Sequence, residues 1–351
     1  MTAFLEDQVL LGLILTILLL LGLAAFFACF SIALRIRNDR ETRLWAGLKK
    51  RWEPSLMNVL TDPQGLPALW EKVEPKNHLH FLEFVLRYAQ RLGGTERAVL
   101  KEAAAPYLPE VLPHLKHRQM GIRARAVQTL GTLGLPKYME ELRKAMEDPS
   151  PFVAAMAARL LAHGIGPEVA EDLCRSLPRF GNFRIWYLVD LMVALGPDAI
   201  PSIRRTMGDP TIPNRTRAVA ALSLSALRDL GAADPAAELA TSESDPELLS
   251  SLLRLLAQVG TSKHAEAVRP HLDSEEFFVR AAATRTLSEL GSDRDLPRLV
   301  EQLADPSTWV RVAAARGVYR LGGRAALSAL VQPGDPATPL FRQVLAEEAG
   351  Q

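Results

Sequence analysis

Glycines recur in this sequence at a nearly constant interval, each at the end of an apolar, helix-like pattern. The residue before the glycine is Leu or Val in every case except His163-Gly164. The intervals range from 29 to 35 residues, which indicates stacked supersecondary units rather than one globular core. The glycines of this series are Gly134, Gly164, Gly196, Gly231, Gly260, Gly291 and Gly322.

An acidic residue about 17 residues before several of these glycines marks the other end of the same pattern. Asp caps a helix N-terminus, Pro fits the first turn, and Gly closes the C-terminus in the left-handed conformation. We therefore expect one bounded helix of about 13–15 residues in each unit. A shorter amphipathic helix should precede it, as in Lys137–Glu147, Asp198–Met207 and Asp293–Ala304. The markers are Asp148-Pro149, Asp209-Pro210, Asp245-Pro246, Asp305-Pro306 and, in the same phase, Asp273-Ser274.

Each unit is thus predicted to be a helical hairpin, and neighbouring hairpins must stack because none can bury its apolar face alone. Small residues on the second helices allow close stacking. They form the runs Ala154-Ala155, Ala281-Ala282-Ala283 and Ala313-Ala314-Ala315.

Three units share a β-branched residue followed by Arg, then small residues, then a Leu-Gly end. They run from Ile122-Arg123 to Gly134, from Val279-Arg280 to Gly291, and from Val310-Arg311 to Gly322. This pattern resembles PBS-lyase HEAT-like repeats, over roughly residues 63–331. The resemblance implies an all-α fold, a right-handed α-solenoid whose second helices line the concave face. Arg123, Arg280 and Arg311 are expected to cap or bridge adjacent repeats.

A second feature, the apolar run Val9–Leu34, predicts one transmembrane helix before the solenoid. Its 26 residues include no charged side chain, and such a helix spans roughly 39 Å. Residues 1–8 contain no Lys or Arg, whereas seven Lys and Arg residues lie between 35 and 51. The positive-inside rule then places the N-terminus outside and the solenoid in the cytoplasm, as a single-pass protein of a bacterial-type inner (plasma) membrane. A buried core helix, a cleaved signal peptide and a lipoprotein signal at Cys29 fit less well.

The expected organisation has four parts. Residues 1–36 form the N-terminal transmembrane anchor and residues 37–62 a basic juxtamembrane segment, while residues 63–333 form the solenoid and residues 334–351 a C-terminal capping helix. The juxtamembrane cations and Trp residues either form an interfacial helix or only set topology, and both alternatives stay open. The membrane-interface candidates are Arg35, Arg37, Arg40, Arg43, Trp45, Lys49, Lys50, Arg51 and Trp52.

Motifs for enzymatic chemistry are mostly absent from the sequence. It has no phosphate-binding loop, no dinucleotide glycine fingerprint and no Gly-x-Ser-x-Gly. A hydroxylase family built on HEAT repeats holds metals through His-Glu dipeptides, and none occurs here. His78, His80, His114 and His117 are interpreted as surface or inter-helix residues rather than metal ligands. We therefore predict no catalytic residue, no metal and no cofactor.

The candidate partner-binding residues form a ladder. Arg254, Arg285 and Arg316 each lie six residues before a closing glycine. Phe278 and Trp309 lie seven residues before the last two of these arginines, on the same helix side. Arg320 extends this face by one turn. Such a strip suits an acidic peptide, a phosphate or a partner helix.

The alternative for the ladder is a structural role. The arginines would then pair with Glu289, Glu301 or Asp305 of adjoining units, and the pattern alone slightly favours this role.

The function expected from these features is a membrane-tethered cytoplasmic scaffold or adaptor that binds a protein partner, either a cytoplasmic protein or a membrane-associated complex. The alternative is a bilin lyase-like enzyme or chaperone, which only the family resemblance implies. Nucleic acid is a disfavoured partner because the formal net charge is +1. The sequence identifies no small-molecule substrate.

Overall fold

The structure, a computed structural model, describes residues 2–331 and 338–349. Every regular element in these ranges is helical, so the all-α prediction is confirmed for them. The chain divides into two compact units, Met1–Glu110 and Val111–Gln351. This division lies inside the predicted solenoid, while the predicted boundary at 333/334 lies outside the described residues.

The first unit is organised around one long helix. Its α-helices are α1 (Thr2–Thr61), α2 (Leu66–Trp70), α3 (His78–Ala89) and α4 (Gly94–Ala104).

The C-terminal part of α1 belongs to the core of this unit. Leu48, Trp52, Leu56 and Val59 are buried at four- and three-residue intervals, which places them on one helix face. The residues predicted as a separate juxtamembrane segment therefore include the first packed helix of the unit.

The second unit consists of helical hairpins in series. The first helices of the pairs are α6 (Met139–Ala145), α8 (Ala170–Ser176), α10 (Ile200–Gly208), α12 (Ala233–Ser242), α14 (Ala265–Val268) and α16 (Leu296–Glu301). The second helices are α5 (Met120–Thr129), α7 (Pro151–Gly164), α9 (Ile185–Val193), α11 (Asn214–Ala226), α13 (Pro246–Val259), α15 (Phe277–Leu290) and α17 (Thr308–Ala329). Helix α18 (Thr338–Ala349) follows them.

Stacking occurs between equivalent helices of neighbouring hairpins. The second helices contact one another in chain order from α5 to α17, and first helices contact first helices in the pairs α8–α10 and α12–α14. Helix α18 packs on α17 and buries Phe341 and Val344. This arrangement is the predicted solenoid of stacked hairpins with a helix at its C-terminal end.

Small residues permit this stacking, as expected. Ala154 and Ala155 on α7, Ala283 on α15 and Ala314 on α17 are buried in the core. Within this core the Thr286 hydroxyl on α15 donates to the Leu253 carbonyl on α13 at 2.8 Å, whereas the buried Thr284 hydroxyl has no hydrogen-bond partner among the described residues.

Of the five Asp markers only Asp245 stands at an N-cap, and the helices after the other four begin two to four residues later than predicted. Asp245 caps α13 by accepting from the Leu248 N–H at 2.9 Å. Asp148, Asp209 and Asp305 instead accept from the N–H two residues further on, at 2.7–2.8 Å. These bonds form turns of the Asx type just before the helix, so another residue stands at the N-cap.

The prediction that the repeating glycines close their helices in the left-handed conformation is wrong for all but Gly196, whose φ is 82°. At Gly291 the backbone is extended, with φ −71° and ψ 179°. Glycine is required there because a Cβ would lie 2.5 Å from the Leu287 carbonyl oxygen. Gly260 has the same relation to Leu256. Close backbone approach, not left-handed φ, is what recurs at these two positions.

The prediction that arginines bridge adjacent repeats is confirmed for Arg123 and Arg280, whereas Arg311 caps the start of its own helix by donating to the Asp305 and Pro306 carbonyls. The Arg280 guanidinium donates to both carboxylate oxygens of Asp305 in the next hairpin, at 2.7 and 3.1 Å. It also donates to the Ser274 and Glu275 carbonyls that precede its own helix. Arg123 makes the equivalent pair with Asp148. Each of these arginines therefore joins the start of its own second helix to the following repeat.

Candidate functional site

A groove of about 750 Å³ lies on the second helices α13, α15 and α17. It contains all six of the residues predicted for partner binding. They are Arg254, Phe278, Arg285, Trp309, Arg316 and Arg320. The repeat brings them together because each second helix presents the same face to the groove as its neighbour does.

Two of the ladder arginines, Arg254 and Arg285, have no hydrogen bond or ion pair with any described residue. Both side chains are exposed. Partial burial of its charged end lowers the pKa of the Arg254 guanidinium, and the nearby cation of Arg285 lowers it further. The two cations therefore repel each other without a carboxylate between them.

The other two arginines are paired. Arg316 donates to Glu347 of α18 at 3.0 Å, and Arg320 donates to Glu289 of α15 at 2.6 Å. Among the described residues that line the groove, Glu289 is the one acidic side chain.

The structural alternative for the ladder matches these contacts only in part. Glu289 pairs with Arg320, while Glu301 pairs with Arg298 on its own helix. Asp305 pairs with the bridging residue Arg280. Glu289 therefore neutralises one arginine of the groove, as that alternative expects, whereas Glu301 and Asp305 are bound to arginines outside it. Arg254 and Arg285 stay unpaired.

Aromatic side chains form the apolar part of the groove. Trp309 is 74% exposed. Phe277 and Phe278 meet edge to face, with ring centroids 5.8 Å apart. Phe277 and Trp309 are both exposed and line the same groove, and exposed apolar patches, rather than single residues, mark interaction sites.

Sequence reasoning missed several groove residues. Phe277 and Tyr319 line the groove, and neither shares the glycine spacing of the ladder.

It also missed a related pair on α7. Phe152 and Arg159 stand at the second and ninth positions of α7, as Phe278 and Arg285 do on α15. Gly164 is the last residue of α7 rather than the residue after it. Arg159 therefore lies five residues before its glycine, whereas the ladder arginines lie six residues before theirs. Alignment by helix start would have found this pair.

The predicted membrane-interface residues divide into one buried residue, Trp52, and a group that is half-buried or exposed. Trp52 is 0% exposed, packs on Phe81 and Phe84, and donates its indole N–H to the Lys72 carbonyl at 3.2 Å. Its assignment to a membrane interface is wrong, because the whole ring is used in the core of the first unit.

Trp45 is half-buried, with the Arg87 guanidinium over its ring at 4.6 Å. Arg51 pairs with Glu74, and Lys49 lies 3.5 Å from Glu53. The remaining members of this group are exposed, namely Arg35, Arg37, Arg40, Arg43 and Lys50.

The two candidate histidines of the first unit each contact a side chain from another part of that unit. His78 bonds to Glu110, and the ring of His80 contacts Trp45. In the second unit, His117 accepts from the Gln119 N–H. No cluster of three His, Cys, Asp or Glu that could hold a metal occurs in the part of the chain that the structure describes.

Comparison with known proteins connects these repeats to a family. The family model of HEAT repeats matches residues 95–179 and 233–320, just under half of the chain. Comparison with curated proteins finds no match.

Two solved structures are similar to this chain at low identity. The complex of CpcE and CpcF of phycocyanin lyase from Nostoc sp. PCC7120 has a TM-score of 0.33 and 19% identity, with 69% of this chain and 87% of that chain covered. An engineered protein has a TM-score of 0.36 and 16% identity, with 84% and 83% covered. The family match confirms HEAT repeats at residues 95–179 and 233–320, the second of which contains the whole groove from Arg254 to Arg320.

Proposed function

We propose that this protein is a membrane-tethered scaffold whose HEAT repeats bind a protein partner in the groove of the second unit. One observation carries the proposal: Arg254 and Arg285 are unpaired and line the same groove as the exposed indole of Trp309. Arginine and tryptophan are the residues most enriched among those that dominate binding energy at protein interfaces. The groove therefore has the composition of a binding surface that lacks its partner.

The chemistry of the groove supports a protein partner rather than a reaction. It combines cations, aromatic rings and small aliphatic side chains, and its one carboxylate already forms an ion pair. Among the described groove residues there is no nucleophile paired with a general base.

Tethering is proposed from the N-terminal helix. Within the described residues one helix, Leu20–Thr61, is long and apolar enough to cross a membrane by length and composition. Its apolar side chains include Phe26, Phe27 and Phe30, all exposed. We propose that the apolar segment Val9–Leu34 of α1 crosses an inner (plasma) membrane once, with the N-terminus outside and the chain after Arg35 in the cytoplasm, as the charge asymmetry predicts.

Crosslinking in intact membranes tests partner binding. Wild type should capture a specific protein, and the variants Trp309→Ala and R254E/R285E should each reduce that capture by at least about tenfold, as loss of 1.4 kcal/mol would do. Arg298→Glu, on an exposed arginine outside the groove, is the matched control and should leave capture unchanged. Equal capture by wild type and both groove variants would refute the proposal.

Cysteine labelling tests the orientation. In a chain with Cys29 and Cys174 replaced by Ser, a membrane-impermeant maleimide should label Thr2→Cys on intact cells. It should label Glu275→Cys, at an exposed position of the second unit, only after the membrane is opened. The reverse pattern would contradict the proposed topology.

A further inference from the structure

We infer that the groove recognises an acidic amphipathic helix, with one carboxylate for Arg254, a second for Arg285 and apolar side chains beside them for the aromatic rings. This inference rests on the proposed function and names the chemistry of its partner.

Charge is the first argument. Four arginines and one glutamate line the groove. Glu289 neutralises Arg320, and Glu347 neutralises Arg316 from the adjoining helix. The two positive charges that remain are those of Arg254 and Arg285. A ligand with two carboxylates would complete the neutralisation and remove their mutual repulsion.

The chain itself contains an example of the proposed contact. Glu347 lies 31 residues after Arg316, which is the spacing of the ladder, so α18 presents a carboxylate where the next arginine would fall. This helix is amphipathic, because Phe341 and Val344 are buried against the solenoid while Glu347 is exposed and bonded to Arg316. Gln343, one turn earlier, donates to the same carboxylate at 2.8 Å. An acidic amphipathic helix thus already occupies the last position of the ladder.

Helix geometry sets the spacing of the two carboxylates. Packed helices lie about 8–10 Å apart, which is the expected separation of equivalent positions on α13 and α15. Residues i and i+7 of a ligand helix lie on one face about 10.5 Å apart. An apolar residue at i+3 or i+4 points to one side of this line of carboxylates, where it can meet Phe278, which stands two turns before Arg285 on α15. Trp309 lies one helix further on, so it meets an apolar residue beyond i+7.

Fluorescence anisotropy with the full-length protein in detergent micelles tests this inference. The probe is a labelled 18-residue helical peptide with Glu at two positions seven residues apart and Leu between them. A second peptide replaces both Glu residues with Gln, and a third replaces them with Lys. Wild type should bind the Glu peptide at least about tenfold more tightly than the Gln peptide, since each pair adds favourable charge interaction.

The variant R254E/R285E should lose affinity for the Glu peptide by at least tenfold and gain affinity for the Lys peptide. This exchange of preference shows that the variant is folded and that the charges act directly. The control Arg298→Glu should keep the wild-type preference.

Equal binding of the Glu and Gln peptides to wild type would overturn the inference. Complete displacement of the Glu peptide by millimolar inorganic phosphate would also overturn it, because the groove would then be a simple anion site. The same is true if a single-stranded oligonucleotide binds more tightly than the Glu peptide and with a steep salt dependence. If crosslinked partner is lost with Trp309→Ala but kept with R254E/R285E, the proposed function stands and the acidic-helix inference fails. If neither variant loses the partner, both fail.

Discussion

Position along the second helices separates two kinds of arginine. Arg123 and Arg280 stand fourth in their helices and bridge to the next repeat, whereas Arg254 and Arg285 stand ninth and line the groove. Five residues turn an α-helix by about 140°, so the two positions point to different sides. Neighbouring repeats thus use the same residue type for an ion pair between repeats on one side and for the proposed binding groove on the other.

Loss of a bridging ion pair should destabilise the second unit. The side chains of Arg280 and Asp305 are 16% and 7% exposed, so Asp305→Asn leaves a buried guanidinium without its counter-charge. We expect a loss of about 3 kcal/mol in the free energy of unfolding, measured by urea denaturation.

Asp273 offers a matched control for this substitution. It stands at the equivalent marker position one repeat earlier, but it is 66% exposed and pairs with an exposed Arg298. Asp273→Asn should cost less than about 1 kcal/mol. Similar losses for the two variants would show that the bridging pair has no special role.

The extended glycines give a second prediction at this scale. In Gly291→Ala, the new Cβ would meet the Leu287 carbonyl oxygen at 2.5 Å and Asp295 at 3.0 Å. Because a backbone atom cannot rotate away, we expect a loss of about 1–3 kcal/mol in unfolding free energy. Gly121→Ala, in α5 with no atom within 4 Å of its Cβ, should be neutral or slightly stabilising.

At the scale of the element, contacts between first helices should make stability depend on pH. His271 follows α14, and its Nε2 lies 3.0 Å from the Ala240 carbonyl of α12. Burial lowers the pKa of this imidazole, although its bond to the carbonyl opposes the shift. The folded state therefore binds fewer protons than the unfolded state just below the ordinary histidine pKa of about 6.5.

The contribution of neutral His271 to the free energy of unfolding is therefore complete above the ordinary histidine pKa of about 6.5. It is lost as the pH falls from there towards the lowered pKa of His271 in the folded state. We expect the denaturation midpoint of wild type to fall between pH 7.5 and pH 5 by more than that of His271→Gln. Equal falls in the two proteins would show that His271 does not contribute.

At the scale of the whole molecule, α1 has two roles along its length. Its N-terminal part is proposed to cross the membrane, while Trp52, Leu56 and Val59 belong to the core of the first unit. A truncation that removes residues 1–38 should therefore yield a folded protein that no longer sediments with membranes.

A truncation that removes residues 1–61 should behave differently. It exposes the apolar surface that Trp52 covers, a loss of about 3–5 kcal/mol for a ring of this size. Limited proteolysis should then cleave the first unit rapidly and the second unit at its former rate. Equal resistance of both truncations would contradict the role assigned to residues 39–61.

The sequence by itself determined the features that repeat. The period of the glycines, the apolar periodicity and the alanine runs specify stacked hairpins, because a unit of this size cannot bury its surface alone. The ladder followed from the same period, since equivalent residues of stacked units must share a face.

Only the tertiary structure decided which charges meet. Glu289, Glu301 and Asp305 all lay within reach of the ladder by spacing, but side-chain direction assigns them to Arg320, Arg298 and Arg280. The same holds for Trp52, whose flanking cations indicated a membrane surface although its ring packs in a core. Sequence spacing fixes the helix face of a residue, whereas its partner depends on how separate helices cross, which no local pattern encodes.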